Sequence, residues 1–172
     1  YESILSAPGT GAVKIDGQVL ARDFVKISAA DVNIGNNATI LAGVNDTTKI
    51  LSNRQAEDLF SKLVNSDVST GNSFANNNGS IVITSYGKDG GTNIAGQLRN
   101  YAKNGNIEIK NTGSKGIDIS GNVINTNGTL LADNSGAGGL LVSGNVTNTG
   151  DLTMTNSGNG GLLVSGNVTN NN

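Results

Sequence analysis

The chain has 172 residues, of which 35% are hydrophobic and 14% are charged, so it can bury one narrow core within the size of a single domain. The net charge of −2 argues against nucleic acid or an anionic membrane as partner, because both select basic surfaces. No apolar run reaches the length of a membrane span, which argues against membrane insertion. Cysteine and histidine are absent, which excludes disulfides, Ser-His-Asp triads and histidine-based metal sites.

Short alternating segments occupy the N-terminal part of the chain. Between residues 12 and 42, apolar side chains recur at every second position, and Gly, Asn and Asp separate the segments, as is typical of short strands. This regular alternation favours strands over the disorder that so polar a composition could also give. The residues expected in these strands are Val13, Ile15, Val19, Phe24, Val25, Ile27, Val32, Ile34, Ile40 and Leu41.

The alternation is interrupted between residues 51 and 78. Ser52 precedes Gln55 in a capping-box pattern, which predicts a short amphipathic helix over residues 53–64. A polar stretch of more than ten residues follows, and loops of that length on a rigid scaffold are often functional. We therefore predict a helix-and-loop extrusion over residues 51–78. Its candidate contact residues are Arg54, Glu57 and Lys62.

Residues 79–172 contain a repeat. The sequence GGLLVSGNVTN occurs at residues 138–148 and again at residues 160–170, and SGN also stands at Ser120, which gives a period of 22 to 23 residues. Residues 79–98 align with residues 105–123 in the same way. An enzyme needs a single catalytic site, whereas a structure built of stacked layers needs the same sequence pattern in every layer. The repeat therefore favours a stacked structure.

The aligned repeats predict which side chains face inward. One inward pair of columns contains Ile107 and Ile109, another contains Ile117 and Ile119, and the copies of these residues in later repeats are also apolar. A third inward column contains Val123, Val146 and Val168. The intervening positions accept charge and should face outward: Glu108, Leu131 and Thr153 in one strand, and Asp118, Leu141 and Leu163 in the other.

Three short strands per repeat predict an all-β fold, a right-handed parallel β-helix or solenoid with about 22 residues per turn. We expect roughly seven turns, divided into N-terminal turns over residues 1–50, the extrusion over residues 51–78 and regular turns over residues 79–172. Identical residues stack in such a fold, so asparagines at the corners should form ladders that satisfy one another's amides.

The sequence predicts no catalytic, cofactor or metal site. Its carboxylates are scattered, and no pair can be placed across a cleft as polysaccharide hydrolysis requires; Asp118 and Glu108 lie on neighbouring strands. Residues 86–93, YGKDGGTN, lack the spacing of a phosphate loop and predict a turn. The corners carry Asn, Ser and Gly instead of the repeated Asp of calcium-binding arrays.

Asparagine in an Asn-x-Ser/Thr triplet is a candidate glycosylation site. Such triplets also arise by chance in a chain rich in Asn and Thr, and corner geometry alone selects these residue types. Threonines 147, 153 and 169 form no wide array of the kind that binds ice. The candidate asparagines are Asn37, Asn45, Asn78, Asn127, Asn145 and Asn167.

Residues 16–46, DGQVLARDFVKISAADVNIGNNATILAGVND, resemble the LAR-x-V-x-I/L and L-x-V-x-AG-x-ND stretch of filamentous-haemagglutinin-like exoproteins, which include the high-molecular-weight adhesins of two-partner secretion. In that family the stretch lies late in the secretion domain that an outer-membrane transporter recognises. Repeats of the GNVTNTG type resemble the family's β-helical shaft. The family's Asn-Pro-Asn-Gly turn is absent, since the single proline is Pro8.

The resemblance implies a segment of a large secreted or surface-exposed adhesin of the Gram-negative outer membrane, in which a rigid β-helical shaft presents binding surfaces for cell adhesion. Its implied partners are the outer-membrane transporter and a host-cell or sibling-cell receptor or glycan. The alternatives are a contact-dependent toxin-delivery filament or autotransporter passenger of the same fold, and a polysaccharide-degrading β-helix enzyme. We expect a monomeric fibre that continues beyond Asn172, because an uncapped last turn exposes strand edges.

Overall fold

The structure is a computed structural model that describes residues 2–45 and 75–171. The described residues contain strands and turns but no helix. The strands are Glu2–Ser6 (β1), Ala12–Ile15 (β2), Gln18–Leu20 (β3), Phe24–Ala29 (β4), Asp31–Ile34 (β5), Thr39–Ala42 (β6), Asn78–Ser85 (β7), Gly91–Ile94 (β8), Gln97–Asn100 (β9), Asn104–Asn111 (β10), Gly116–Ile119 (β11), Val123–Asn125 (β12), Gly128–Asn134 (β13), Leu140–Val142 (β14), Val146–Thr149 (β15), Leu152–Asn156 (β16), Leu162–Val164 (β17) and Val168–Asn171 (β18).

These strands form three parallel sheets of six strands each, and every turn of the chain adds one strand to each sheet. Sheet A has the order β1-β4-β7-β10-β13-β16, sheet B has β2-β5-β8-β11-β14-β17, and sheet C has β3-β6-β9-β12-β15-β18. The protein is therefore a parallel β-solenoid of six turns in its described part, which confirms the predicted fold class.

The described residues contain six turns, where roughly seven turns were expected for the whole chain. The alternating segments between residues 12 and 42 form the five strands β2 to β6. Together with β1 they complete two turns, because each turn uses three strands.

The register of the strands confirms the predicted columns. Ile107 pairs with Leu130, and Leu130 pairs with Leu152, so one column runs through three turns of sheet A. Ile117 pairs with Leu140 in sheet B. The predicted alignment of residues 79–98 with residues 105–123 is also correct. Neighbouring strands lie about 4.8 Å apart, which sets the rise per turn.

Apolar side chains from the three sheets meet in one core along the axis. Ile109 of sheet A, Ile94 of sheet B and Leu98 of sheet C are fully buried. Each such side chain contributes about 1.5–3 kcal/mol through its removal from water. Leu162 and Val168 belong to the same inward columns but are 48% and 40% exposed, because no described strand covers the last turn.

The predicted helix over residues 53–64 and the contact residues Arg54, Glu57 and Lys62 lie outside the described residues. On either side of the gap, Val44 and Ala75 form an antiparallel bridge. Strand β7 begins at Asn78, which is the residue at which the predicted loop ends.

Two ladders of asparagine side chains run along the corners. In the first ladder, the side-chain Nδ2 of Asn111 donates to Oδ1 of Asn134 at 2.8 Å, and Asn134 donates to Asn156 at 2.7 Å. The second ladder joins Asn125, Asn148 and Asn170, with both distances at 2.9 Å. Each bond contributes about 1 kcal/mol net, and a buried amide left without it would destabilise the fold by more. The predicted corner ladders are therefore confirmed.

The second ladder ends at a buried acceptor. Oδ1 of Asn125 has no hydrogen-bond partner, although Asn100 occupies the aligned position one turn earlier. Asn100 instead donates to the carbonyl oxygens of Gly79 at 3.0 Å and Asn106 at 3.2 Å. The corner that follows Asn100 is two residues longer than the corner that follows Asn125, because Gly105 pairs with Gly128. Asn125 donates to the equivalent carbonyl oxygens, those of Gly105 at 3.3 Å and Thr129 at 3.4 Å, and to Asn148 as well, so only the bond from Asn100 is missing from the ladder.

Candidate functional site

The outer face of sheet B carries a row of polar side chains. The strand register aligns Lys14, Asn33, Asn93 and Asp118, each one turn from the next. Asn93 and Asp118 are exposed and Asn33 is half-buried. Among residues 2–45 and 75–171, no side-chain hydrogen bond involves Asn33, Asn93 or Asp118. Their donors and acceptors are therefore available to a ligand.

A strip of glycines runs beside this polar row. Gly91 pairs with Gly116, and glycines 139 and 161 hold the equivalent corner in the next two turns. Gly116 has φ +77°, a conformation that side chains other than glycine rarely adopt, and a Cβ on Gly91 would lie 2.6 Å from the carbonyl oxygen of Gly116. Gly91 and Gly116 are buried, so the strip lets the backbones of successive turns pack closely and places no side chain beside the amides.

The polar row and the glycine strip line two hollows that meet. The first has a volume of about 300 Å³ and is lined by Asp31, Asn33, Asn93, Lys115 and Asp118 together with glycines of the strip. The second has a volume of about 350 Å³, shares Asp31 and Lys115 with the first, and reaches Lys88 and Asp89. These volumes lie at the lower end of the range for small-molecule sites. We refer to the two hollows together as the trough.

An ion pair stands where the two hollows meet. Nζ of Lys115 lies 3.5 Å from Oδ1 of Asp31, and the backbone N–H of Gly91 donates to the same oxygen at 2.9 Å. The Lys115 side chain is 66% exposed, so the pair contributes little to stability. The trough is lined by three carboxylates, Asp31, Asp89 and Asp118, and by two lysines, Lys88 and Lys115, so it carries one net negative charge beside its amide groups.

The structure brings Asp31 and Asp118 to one hollow, on strands that do not pair with each other. They lie on β5 and β11, which β8 separates, and they differ by two positions along the strand. This offset places their Cα atoms about 12 Å apart. Asp31 is also held by Lys115. That the chain is not an enzyme stays a prediction.

Glu108, the other carboxylate considered for catalysis, lies on the outer face of sheet A. It forms an ion pair with Lys110 at 2.8 Å, and its hydrogen bond raises the pKa of Lys110.

The described residues contain no group of three or more Asp or Glu side chains that could hold a metal ion. In the same part of the chain, no helix has the length and hydropathy to cross a membrane.

Four of the candidate glycosylation asparagines lie at turns or strand ends. Asn37 is exposed in the turn between β5 and β6, and Asn78 is exposed at the start of β7. Asn45 is half-buried at the edge of the described residues. Asn127 is exposed, but its Nδ2, the atom that a glycan would modify, donates to the carbonyl oxygen of Lys103 at 2.5 Å.

The remaining two candidates, Asn145 and Asn167, stack one turn apart at an exposed corner. Oδ1 of Asn145 accepts the backbone N–H of Asn167 at 3.3 Å, and Oδ1 of Asn122 accepts the N–H of Asn145 in the same way. The corner geometry alone accounts for these asparagines. Modification at any of the six positions stays a prediction.

Sequence reasoning missed the polar row of sheet B, although a signal for it exists. Asn33, Asn93 and Asp118 each follow an inward residue and precede an inward Ile, in VNI, TNI and IDI. The predicted alignment of residues 79–98 with residues 105–123 already places TNI beside IDI, but the alignment of VNI was hidden because residues 46–74 lie between VNI and TNI.

The chain matches no protein-family model, no curated protein and no solved structure.

Proposed function

We propose that this chain is a segment of a secreted or surface-exposed bacterial adhesin, whose β-helical shaft presents binding surfaces for cell adhesion. The observation that carries the proposal is the contrast within one rigid solenoid between its buried asparagine ladders and the unpaired polar row of sheet B. The resemblance of residues 16–46 to filamentous-haemagglutinin-like exoproteins gives separate support. That resemblance also supports export through an outer-membrane transporter to the bacterial surface.

The solenoid suits this function for a mechanical reason. Parallel strands of six turns bond to their neighbours along the whole axis, and the ladders add side-chain bonds in the same direction. Each turn templates the next, so the shaft can lengthen by repetition and can fold as the chain emerges from a transporter. The face of sheet B is then held in a fixed geometry, which lowers the entropy lost on binding.

Beads coated with the purified chain test the proposal. We expect them to bind host cells or sibling bacteria more than beads coated with an unrelated acidic protein of similar size. A matched control deletes residues 139–160, which removes one repeat and joins Gly138 to Gly161 within the same sequence. This variant should keep the trough and bind cells as the full chain does. Beads that bind no better than the unrelated protein would contradict the proposal.

A further inference from the structure

We propose that the trough on sheet B binds a neutral, hydroxyl-rich oligosaccharide. This inference rests on the proposed adhesive function, because it names the ligand class of the same face. Its first support is shape: two adjoining hollows of about 300 and 350 Å³ meet at the Asp31–Lys115 pair and together suit an elongated ligand better than a compact one.

The second support is the hydrogen-bonding capacity of the polar row. Asn33 and Asn93 each offer an amide donor and an amide acceptor, and Asp118 offers acceptors alone. Sugar hydroxyls both donate and accept, so they can satisfy all of these groups. The row advances by about 4.8 Å per turn, a distance similar to the advance of an extended glycan per sugar. Successive sugars can therefore meet successive turns.

The third support is the exclusion of other ligand classes. Lys115 holds Asp31, and the two lysines of the trough offset two of its three carboxylates, which disfavours a ligand held mainly by charge. Val32, the largest apolar side chain of the first hollow, is buried towards the core. The first hollow therefore offers no apolar anchor to a lipid or to a hydrophobic peptide, and the apolar residues of the second hollow, Ala12 and Ala30, are small. It lies on a sheet face, so a peptide cannot extend the sheet there by edge pairing.

The glycine strip keeps the floor of the first hollow free of side chains. Side chains are missing at positions 91 and 116, and both positions resist substitution for the reasons of geometry given above. A sugar ring can lie over this bare strip and reach Asn93 and Asp118 from the side. The same strip in later turns lies beside Leu141 and Leu163, so the polar site is confined to the turns that carry Asn33, Asn93 and Asp118.

The test titrates the isotope-labelled full chain with cellohexaose, mannohexaose and chitohexaose, followed by nuclear magnetic resonance. We expect at least one of these sugars to shift the signals of Asn33, Asn93, Gly91 and Asp118. The double variant Asn93→Ala, Asp118→Ala should lose affinity by about tenfold or more, since it removes several hydrogen bonds. The matched control Lys103→Ala, Asp151→Ala changes two exposed residues at the corner between sheets C and A, and its affinity should stay within about twofold.

Three results would overturn the inference: no shifts with any of the three sugars, shifts that map elsewhere, or equal affinity of the double variant. Matching unfolding midpoints of both variants exclude a loss of fold. Bead binding separates this inference from the adhesive function. If beads bind cells while the sugars fail, the ligand class is wrong and adhesion stands; if the sugars bind while beads do not, the site stands and adhesion is wrong.

Discussion

Asn134 at a corner and Asn93 on the face of sheet B carry the same side chain in different surroundings. Asn134 is buried, donates to Asn156 and to the carbonyl oxygen of Gly136, and accepts from Asn111. The side chain of Asn93 is exposed and forms no hydrogen bond within the described part of the chain. In a solenoid, position within the turn therefore decides whether an amide stabilises the fold or remains available to a ligand.

The largest expected difference is in stability. Asn134→Ala removes a ladder residue and leaves buried donors and acceptors of its neighbours unpaired, so we expect a loss of about 2–4 kcal/mol in the free energy of unfolding. Asn93→Ala is the matched control and should change the free energy by less than about 0.5 kcal/mol. Urea unfolding followed by circular dichroism measures both. Equal losses for the two variants would remove the distinction between corner and face.

A smaller effect is expected at the interrupted end of the second ladder. Asn125→Ala also removes the bond to Asn148, but it eliminates the buried Oδ1 that has no partner. We therefore expect a loss of about 1–2 kcal/mol, less than for Asn134→Ala. The same urea titration measures this difference. A loss as large as that of Asn134→Ala would show that Oδ1 of Asn125 is satisfied in solution.

The smallest effect concerns a paired surface carboxylate. The pKa of Asp23 is lowered from 3.8 to about 2, mainly because its carboxylate accepts a hydrogen bond from Arg22. The folded state thus favours ionised Asp23, and this stabilisation is present above pH 3.8 and is lost as the pH falls towards 2. The melting temperatures of the chain and of Asp23→Asn, measured across this range, should converge at low pH. A constant difference down to pH 2 would contradict the pairing.

The fold could be predicted from the C-terminal repeats because their spacing hardly varies. Leu130 and Leu152 stand in register after 22 residues, so an alignment by eye places the inward columns correctly. The corner ladders followed from the same alignment, since identical residues at equal spacing must stack in a parallel solenoid. Regular spacing thus made it possible to predict side-chain contacts as well as the fold.

The candidate site could not be predicted in the same way, because its residues come from turns of unequal length. Asp31 and Lys115 are 84 positions apart, and the residues between them include the segment 46–74 and a lengthened corner. Charge pattern alone gave no reason to join them. The hollows also depend on the glycine strip, because glycine has no side chain to fill them. Glycine is neither apolar in pattern nor charged, so the sequence gives no signal for the hollows.

The exchange of asparagine side-chain amide protons tests the contrast between corner and face most directly. Nuclear magnetic resonance can follow Asn111, Asn134 and Asn148 beside Asn33 and Asn93 in one sample. We expect strong protection of the three ladder amides and exchange of the two face amides near the rate of a free amide. Protection of Asn33 and Asn93 equal to that of the ladder would mean that the face of sheet B is already satisfied within the chain, which would contradict its role as a binding surface.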